Sequence, residues 1–364
     1  MNNETISTKK GGTKPLVHLL PMMALLVFGM IALVGVVSAE YSYNGSALVK
    51  ATSDSCNGDL WVSAGNHSGL PTSGYYYPQI YNTTYTLPSF DSVKWAKLYV
   101  GVWGGTQYRT GYAKTTLVNS GGSYDLANET LNISSSMNPN VNCVGNGTWL
   151  ITYDVKDYLT SGDTPTVSVY TQNETVGGST PCFDGRVYGV TLVVAYENSA
   201  MPLVTYQVND GLVNLNNPYQ LNTNRTQFDD VSYSSNETKV TLVQLAGNAG
   251  QPDYAFFNPP DAADSPYRLD VIRWTLANYL DSQLDSADVA DASEGSNYDL
   301  DSFIEANDST SLKDLVNTSG SNYIVFKRGY DSNNNGAIDA SYYNTTKEGE
   351  SYVSPIIAIV KLTR

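Results

Sequence analysis

The residue pattern with the most specific chemistry is the segment 331–339, which reads Asp-Ser-Asn-Asn-Asn-Gly-Ala-Ile-Asp. It resembles the first nine positions of a calcium-binding loop, with oxygen-bearing side chains at alternate positions and a glycine where the chain must turn around the ion. Hard cations prefer such oxygen ligands. The segment therefore predicts a calcium site formed by Asp331, Asn333, Asn335, Ala337 (through its carbonyl) and Asp339.

A second interpretation of this segment stays open. The twelfth position of the loop is Tyr342 instead of Glu, so the bidentate ligand is either missing or supplied by Glu348 or Glu350. Asn335-Gly336 between strand-like runs is also a strong hairpin signal, because both residues tolerate a positive φ. The same residues thus predict either a weak calcium site or a hairpin turn.

The three cysteines predict one disulfide. Cys143 and Cys182 each stand in a Gly-, Asn- or Pro-containing loop of the same half of the chain, and we expect them to pair. Cys56 is then left free or pairs between chains. A nucleophilic cysteine is not expected, since no His or cationic side chain stands nearby in the sequence to lower the thiol pKa.

Aromatic residues suggest a carbohydrate-binding face. Tyr76 and Trp103 lie in or beside Gly-rich segments, and flat aromatic rings stack on sugar rings. The alternative is that Tyr, present 28 times, is the amphipathic residue of β-surfaces. No pair of carboxylates forms a distinctive constellation for glycoside hydrolysis, so we expect no enzyme and assign no catalytic residue.

Twelve Asn-x-Ser/Thr acceptor sequences beyond residue 39 predict a glycosylated surface. Compositional bias is the alternative, because Asn, Ser and Thr are abundant. The acceptor residues are Asn44, Asn66, Asn82, Asn128, Asn132, Asn146, Asn173, Asn224, Asn236, Asn307, Asn317 and Asn344.

The first 39 residues form a targeting segment. Three lysines precede an apolar run from Leu16 to Val37, and Val37-Ser-Ala39 fits a small-x-small cleavage site. Cleavage gives a secreted protein, whereas the run is also long enough to remain as a membrane anchor. In both cases the body of the protein is exported, and we expect a membrane contact only through an uncleaved leader.

The charge balance excludes nucleic acid as a partner. Acidic residues outnumber Lys and Arg by 35 to 20, giving a formal net charge of -15, whereas polyanion binding needs a basic surplus. His67 is the one histidine left after removal of the leader, and it stands in a loop-like Gly-Asn-His-Ser string. We therefore expect partners among cell-surface proteins and glycans.

Short β-type runs separated by Gly, Asn, Ser and Pro clusters predict an all-β body. Residues 95–103 and 166–170 alternate apolar and polar positions, which is typical of half-buried strands. The continuous apolar run 187–196 predicts a central strand buried on both faces. Residues 356–360 predict another strand near the C-terminus.

Two internal matches predict a duplication. Segment 149–159 resembles 270–280, both ending in Tyr-Leu, and segment 186–196 resembles 351–361. A strand followed by a short helical turn ending in Tyr-Leu suits a corner that closes a sandwich core. We therefore predict two tandem jelly-roll-like β-sandwich domains, at residues 40–200 and 201–364. The second carries an acidic, partly helical insert at about 281–324.

The residues also resemble a known family. Asp91–Gly104, the Tyr153-Asp-Val turn and Phe183–Tyr196 are similar to a domain of unknown function in exported surface proteins of methanogenic archaea. The resemblance covers most of residues 45–364, and it implies an archaeal envelope location without an established activity. The turn is also similar to a corner of galactose-binding-like jelly rolls, which implies carbohydrate or surface binding.

The sequence thus predicts a non-catalytic, glycosylated protein of the cell surface or extracellular space. Its role would be structural or adhesive, and calcium is its expected cofactor. A carbohydrate-binding module is the first alternative, and a secreted polysaccharide-degrading enzyme is the second.

Overall fold

The computed structural model of the chain describes ten segments. They are residues 41–68, 79–133, 138–173, 182–216, 221–247, 253–259, 268–269, 298–306, 310–328 and 352–364. Of the described residues, 66% lie in strands and 3% in helices. The prediction of an all-β body is therefore confirmed.

The described residues between 41 and 200, here called the first half, form ten strands and one short 3₁₀ turn at Lys156–Tyr158. The strands are β1 (Gly45–Ser63), β2 (Asn66–Ser68), β3 (Gln79–Thr84), β4 (Ser92–Trp103), β5 (Gly111–Asn119), β6 (Gly122–Leu131), β7 (Val141–Cys143), β8 (Thr148–Asp154), β9 (Thr166–Asn173) and β10 (Arg186–Glu197).

Residues 201–364, the second half, contribute the remaining described strands and a single-turn helix, α1 (Leu312–Leu315). The strands are β11 (Leu203–Val213), β12 (Leu215–Asn216), β13 (Thr223–Phe228), β14 (Glu237–Leu245), β15 (Asp253–Phe257), β16 (Arg268–Leu269), β17 (Tyr298–Phe303), β18 (Glu305–Ala306), β19 (Thr310–Ser311), β20 (Asn322–Arg328) and β21 (Tyr352–Thr363). Among these described residues, no helix has the length and apolar character needed to cross a membrane.

One large antiparallel sheet runs through both halves, in the order β17-β14-β21-β11-β1-β10-β4-β8-β7. We call its part from β1 to β7 the first half-sheet and its part from β17 to β1 the second half-sheet. Two smaller sheets, β2-β3-β9-β5-β6 and β13-β20-β15-β16, pack on the outer faces. Each half of the chain is thus a sandwich of one half-sheet and one outer sheet.

Strand β1 joins the two half-sheets by changing partners along its length. Residues 45–57 pair with β11, and residues 58–63 pair with β10. The change occurs at Gly58, whose φ is +155°. A Cβ atom there would lie 2.0 Å from the Tyr196 carbonyl oxygen, so only glycine fits.

Three apolar cores hold the layers together. The first lies between the first half-sheet and its outer sheet, around Leu98, Val100 and Leu117. The second lies between the second half-sheet and its outer sheet. The third joins the inward faces of the two half-sheets and includes Tyr99 and Tyr206, both fully buried. Because both half-sheets are covered on both faces, their central strands read as continuous apolar runs.

The strand order of the two halves corresponds strand by strand. The first half-sheet contains the order β1-β10-β4-β8, and the second contains β11-β21-β14-β17. The outer sheets show β3-β9-β5-β6 and β13-β20-β15-β16. When the strands of the two halves are matched in this way, they also occur in the same order along the chain.

The strands predicted at 95–103, 166–170, 187–196 and 356–360 lie within β4, β9, β10 and β21. Residues 187–196 are buried throughout, as predicted for a central strand. The predicted corner at 149–159 is also present, because β8 runs into the 3₁₀ turn and the Asp154 carboxylate accepts a hydrogen bond from the Lys156 amide at 3.1 Å. Its proposed repeat at 270–280 lies outside the described residues.

One local prediction differs from the structure: His67, expected in a loop, lies in strand β2 opposite Thr83 of β3. The described part of the predicted insert forms β17, β18, β19, the single-turn helix α1 and the start of β20. Residues 39–364 form one compact unit, because β1 belongs to both half-sheets.

Candidate functional site

The predicted calcium ligands, residues 331–339, lie outside the described residues. Within the part of the chain that the structure describes, no group of three or more His, Cys, Asp or Glu side chains is placed to hold a metal ion. The calcium site thus stays a prediction from sequence.

The glycosylation acceptors that the structure describes are exposed or partly exposed. Asn307 and Asn344 lie outside the described residues. None of the other ten is buried. Five of these ten are exposed, namely Asn44, Asn66, Asn128, Asn236 and Asn317. The Asn146 and Asn317 side-chain carbonyls accept hydrogen bonds from the amide two residues later, at 3.0 and 3.1 Å.

The expected Cys143–Cys182 disulfide is absent, since none of the three cysteines, all within the described residues, forms a disulfide. Cys143 ends strand β7 instead of lying in a loop, and its buried thiol donates to the Val144 carbonyl at 3.5 Å. Burial raises the pKa of this thiol. Cys56 is also buried, and its thiol donates to the Tyr196 carbonyl at 3.6 Å. An interchain disulfide at Cys56 would therefore require local opening.

The predicted sugar-stacking residues do not form an open platform in the described structure. Tyr76 lies outside the described residues. The Trp103 ring is covered by the Arg186 guanidinium, 4.3 Å from its centroid, and lies nearly parallel to Tyr188 at 6.5 Å. Its indole N–H donates to the Asn146 carbonyl at 3.1 Å. Trp103 thus packs against protein groups.

A cleft at the seam between the two half-sheets is a candidate binding site formed by described residues. We call it the lysine cleft; its volume is about 100 Å³, and it is lined by Asp59, Leu60, Trp61, Val62, Lys239, Thr241, Ser302, Ile359 and Lys361. Residues 59–62 form one wall, where β1 is the edge of the first half-sheet and pairs with β10 alone among the described strands. The other wall is the inward face of β14 and β21, with β17 beside them.

Strand pairing brings the two lysines together. Lys239 of β14 stands directly opposite Lys361 of β21 in the antiparallel register. Lys361 donates to the Asp59 carboxylate at 2.5 Å, with 13% and 26% of the two side chains exposed. The Lys239 ammonium forms no hydrogen bond or ion pair with the residues that the structure describes. Like charges directly opposite each other destabilise a sheet.

The environment of Lys239 lowers its pKa. Burial is the main cause, because it disfavours the charged ammonium, and the charge of Lys361 adds to it. The carboxylates of Asp59 and Glu237 act in the opposite direction. The cleft therefore holds a cation that its own surroundings do not fully stabilise.

Two hydroxyl groups continue the polar wall beyond Lys239. Thr241 of β14 stands opposite Ser302 of β17, and their oxygens lie 2.8 Å apart in a shared hydrogen bond. Leu60 and Ile359 are buried and provide an apolar floor, while Trp61 is half-buried and packs edge-on against Tyr85. Asp59 is the one carboxylate among the described lining residues. The described lining thus combines two ammonium groups, two hydroxyl groups and one carboxylate, and it holds no pair of carboxylates of the kind used in glycoside hydrolysis.

This site was not predicted from the sequence. The available signal was a lysine flanked by strand-forming residues that are buried in the structure, in Thr-Lys239-Val and in Val-Lys361-Leu. Lysine is rarely placed among buried strand residues unless it is paired or functional. The signal could not show that the two strands are neighbours.

Known structures show only weak similarity to this chain. N-glycanase F (PNGase F) is 12% identical, with 85% of this chain and 96% of that chain covered and a TM-score of 0.25. A presumed secreted protein from Parabacteroides distasonis is 8% identical, with 88% and 93% covered and a TM-score of 0.22. The CBM22-1-CBM22-2 tandem domain of Paenibacillus barcinonensis Xyn10C is 11% identical, with 88% and 100% covered and a TM-score of 0.18.

Scores this low do not establish a common fold, and no curated protein matches the chain. A proposal for its function must therefore be based on the residues of this chain. The predicted resemblance to a domain of unknown function is confirmed at the level of the family. Residues 42–362 match the family described as "Protein of unknown function (DUF3344)", and the chain belongs to this family.

Proposed function

We propose that the chain is an exported, glycosylated and non-catalytic protein of the cell surface, with a structural or adhesive role. The leader at residues 1–39 supports export. The resemblance to surface proteins of methanogenic archaea supports an archaeal envelope as the location. The formal net charge of -15 favours solubility and causes repulsion between copies of the protein.

The observation that carries this proposal is the position of the acceptor asparagines. None of the ten within the described residues is buried, although many other polar side chains of this chain, such as Asn209 and Asn322, are fully buried. Glycans are bulky and hydrophilic and require a surface position. The acceptors are therefore compatible with dense modification of the folded protein.

We further propose that the two halves are tandem jelly-roll sandwiches that arose by duplication. The matching strand orders of the two half-sheets and of the two outer sheets support this. The boundary between 200 and 201 falls between β10 and β11, the last strand of one series and the first of the next.

The export proposal is tested on the full chain, expressed with its leader in a host that glycosylates asparagine. We expect the protein outside the cell, with glycopeptides at exposed acceptors such as Asn236, when cells are fractionated and the protein is analysed by mass spectrometry. Asn236→Gln should remove one glycan mass. Asn57→Gln is the matched control, because Asn57 is exposed but is not an acceptor. An unmodified protein retained inside the cell contradicts the proposal.

Calcium binding at residues 331–339 is proposed as a stabilising feature of this surface protein. A ligand that binds only the folded state raises the melting temperature, by an amount that grows with the logarithm of the ligand concentration above its Kd. We expect the melting temperature to fall when a calcium chelator is added and to recover with excess Ca²⁺. An Asp331→Asn variant should lose this response, and an unchanged melting temperature in the wild-type protein rules the site out.

Ligand binding is the second candidate function, and the lysine cleft favours it. The cleft lies at a seam between two packed units, where ligand pockets are commonly found. Its single lining carboxylate, Asp59, is already paired with Lys361, which favours binding over glycan cleavage.

A further inference from the structure

The lysine cleft has a charge opposite to that of the whole protein. The chain has a formal net charge of -15, yet the described residues that line the cleft contain two ammonium groups and one carboxylate. Asp59 neutralises Lys361 through a contact of 2.5 Å. The charge of Lys239 is left without a direct partner. The cleft thus has a surplus of about one positive charge.

The position of Lys239 destabilises the folded state, because no described contact offsets the burial of its charge. Its stem is half-buried, its ammonium faces Lys361 across the strand pair, and no described residue accepts a hydrogen bond from it. A Met side chain would fill similar space without these costs. Residues that destabilise the fold locally are expected at sites that bind a ligand.

We propose that the lysine cleft binds a carboxylate group, with the Lys239 ammonium as its main contact. A monoanion matches the surplus charge of the cleft, whereas a dianionic phosphate exceeds it. Thr241 lies two residues beyond Lys239 on the same face of β14, and Ser302 stands opposite Thr241 on β17. Their hydroxyls supply hydrogen bonds to further ligand oxygens.

Two sources can supply this carboxylate. One is a uronic acid residue of an acidic polysaccharide, whose ring hydroxyls would reach Thr241 and Ser302. The other is a small free carboxylate. The cavity of about 100 Å³ accommodates a carboxylate and the adjoining part of a sugar ring, while the rest of a larger ligand would extend into solvent. The inference does not depend on export or glycosylation, so it can fail while the proposed function stands.

The test is calorimetric titration of the purified full chain with sodium galacturonate, galactose and sodium acetate at low ionic strength. Galactose has the same ring as galacturonate without the carboxylate. We expect galacturonate to bind and galactose not to bind. Lys239→Met should weaken galacturonate binding by at least about tenfold, the loss expected for a charge-assisted hydrogen bond.

Lys114→Met is the matched control, since Lys114 is a strand lysine whose ion pair with Asp125 is exposed on the outer sheet. This variant should bind galacturonate as the wild type does. The proposal is overturned if neither galacturonate nor acetate binds, if galactose binds as well as galacturonate, or if Lys239→Met leaves the affinity unchanged. A folding defect is not expected in Lys239→Met, and a denaturation curve of the variant checks this.

The same titration distinguishes the two ligand sources. Tighter binding of galacturonate than of acetate supports a uronic acid residue, because the sugar hydroxyls then contribute. A Ser302→Ala variant should reduce that advantage without changing acetate binding. Equal affinities support a small free carboxylate as the natural ligand.

Discussion

Two polar clusters lie between the half-sheets, and they differ in how well their charged side chains are paired. In one, Lys97 of β4 donates to the Asp210 carboxylate of β11 at 2.7 Å, and the Tyr99 hydroxyl donates to the same carboxylate at 2.8 Å. In the other, the Lys361 ammonium pairs with the Asp59 carboxylate, and the Lys239 ammonium has no direct partner among the described residues. The first cluster is balanced, whereas the second carries a surplus cation.

This difference separates a structural contact from a binding site. Buried charges are tolerated when each is paired and hydrogen-bonded, and the Lys97–Asp210 pair meets that condition. The Tyr99 hydroxyl is held protonated there, because burial first and the Asp210 charge second raise its pKa. The lysine cleft does not meet the condition until an anion enters.

The largest effect is expected when the balanced cluster is broken. Asp210→Asn keeps the side-chain shape but removes the charge that Lys97 and Tyr99 contact. We expect a loss of about 2–3 kcal/mol in the free energy of unfolding, measured by urea denaturation. Asp125→Asn, at the exposed Lys114–Asp125 pair, should leave the curve unchanged. Equal stability of the two variants would show that Asp210 is no more structural than a surface acid.

A smaller effect of opposite sign is expected in the cleft. Lys239→Met removes the repulsion from Lys361 and the cost of burying an ammonium. We expect stability to rise by about 1 kcal/mol in urea denaturation without ligand. Lys97→Met provides the comparison, since it leaves Asp210 without its cation and should destabilise the protein. A loss of stability in Lys239→Met would mean that the cleft is balanced after all.

The smallest effect is a pH dependence that belongs to Lys239. Its folded-state pKa lies below the ordinary value of 10.5, so between these two pKa values the unfolded chain binds more protons than the native state. The stability contributed by this group therefore rises with pH in that window. Lys361, Asp59 and Glu237 are the charged groups that act on it.

The stability advantage of Lys239→Met over the wild type should accordingly shrink as the pH is raised from 7 towards 10. Denaturation curves of both proteins at several pH values measure this difference, and the titration of tyrosines cancels because it is common to both. A constant advantage across the range would show that the pKa of Lys239 is not lowered by folding.

Sequence reasoning predicted the elements whose signal is local. The alternation in β4 and β9 and the continuous apolar run of β10 gave their positions, and the turn after Tyr153 followed from its Asp and Tyr-Leu residues. Strand β1 was not predicted, because residues 45–63 contain many Ser, Asp and Gly residues and lack a sustained alternation of apolar and polar positions. Its position is fixed by long-range pairing with β10 and β11.

The lysine cleft could not be predicted from the sequence, because it too depends on long-range strand pairing. Asp59, Lys239 and Lys361 lie on three strands far apart in sequence, and only the order of the large sheet places them together. The cysteine prediction depended on Cys143 lying in a loop, and its burial at the end of β7 removed that basis. The calcium and Tyr76 predictions lie outside the described residues and stay predictions.

Because β1 belongs to both half-sheets, it affects how the molecule unfolds. Unfolding of the first half would take away the strand that pairs with β11, and unfolding of the second would expose the long edge of β1 to solvent. Neither half can therefore melt while the other keeps its full set of hydrogen bonds. The two sandwiches should behave as one cooperative unit, with a single calorimetric transition, despite the repetition in their strand order.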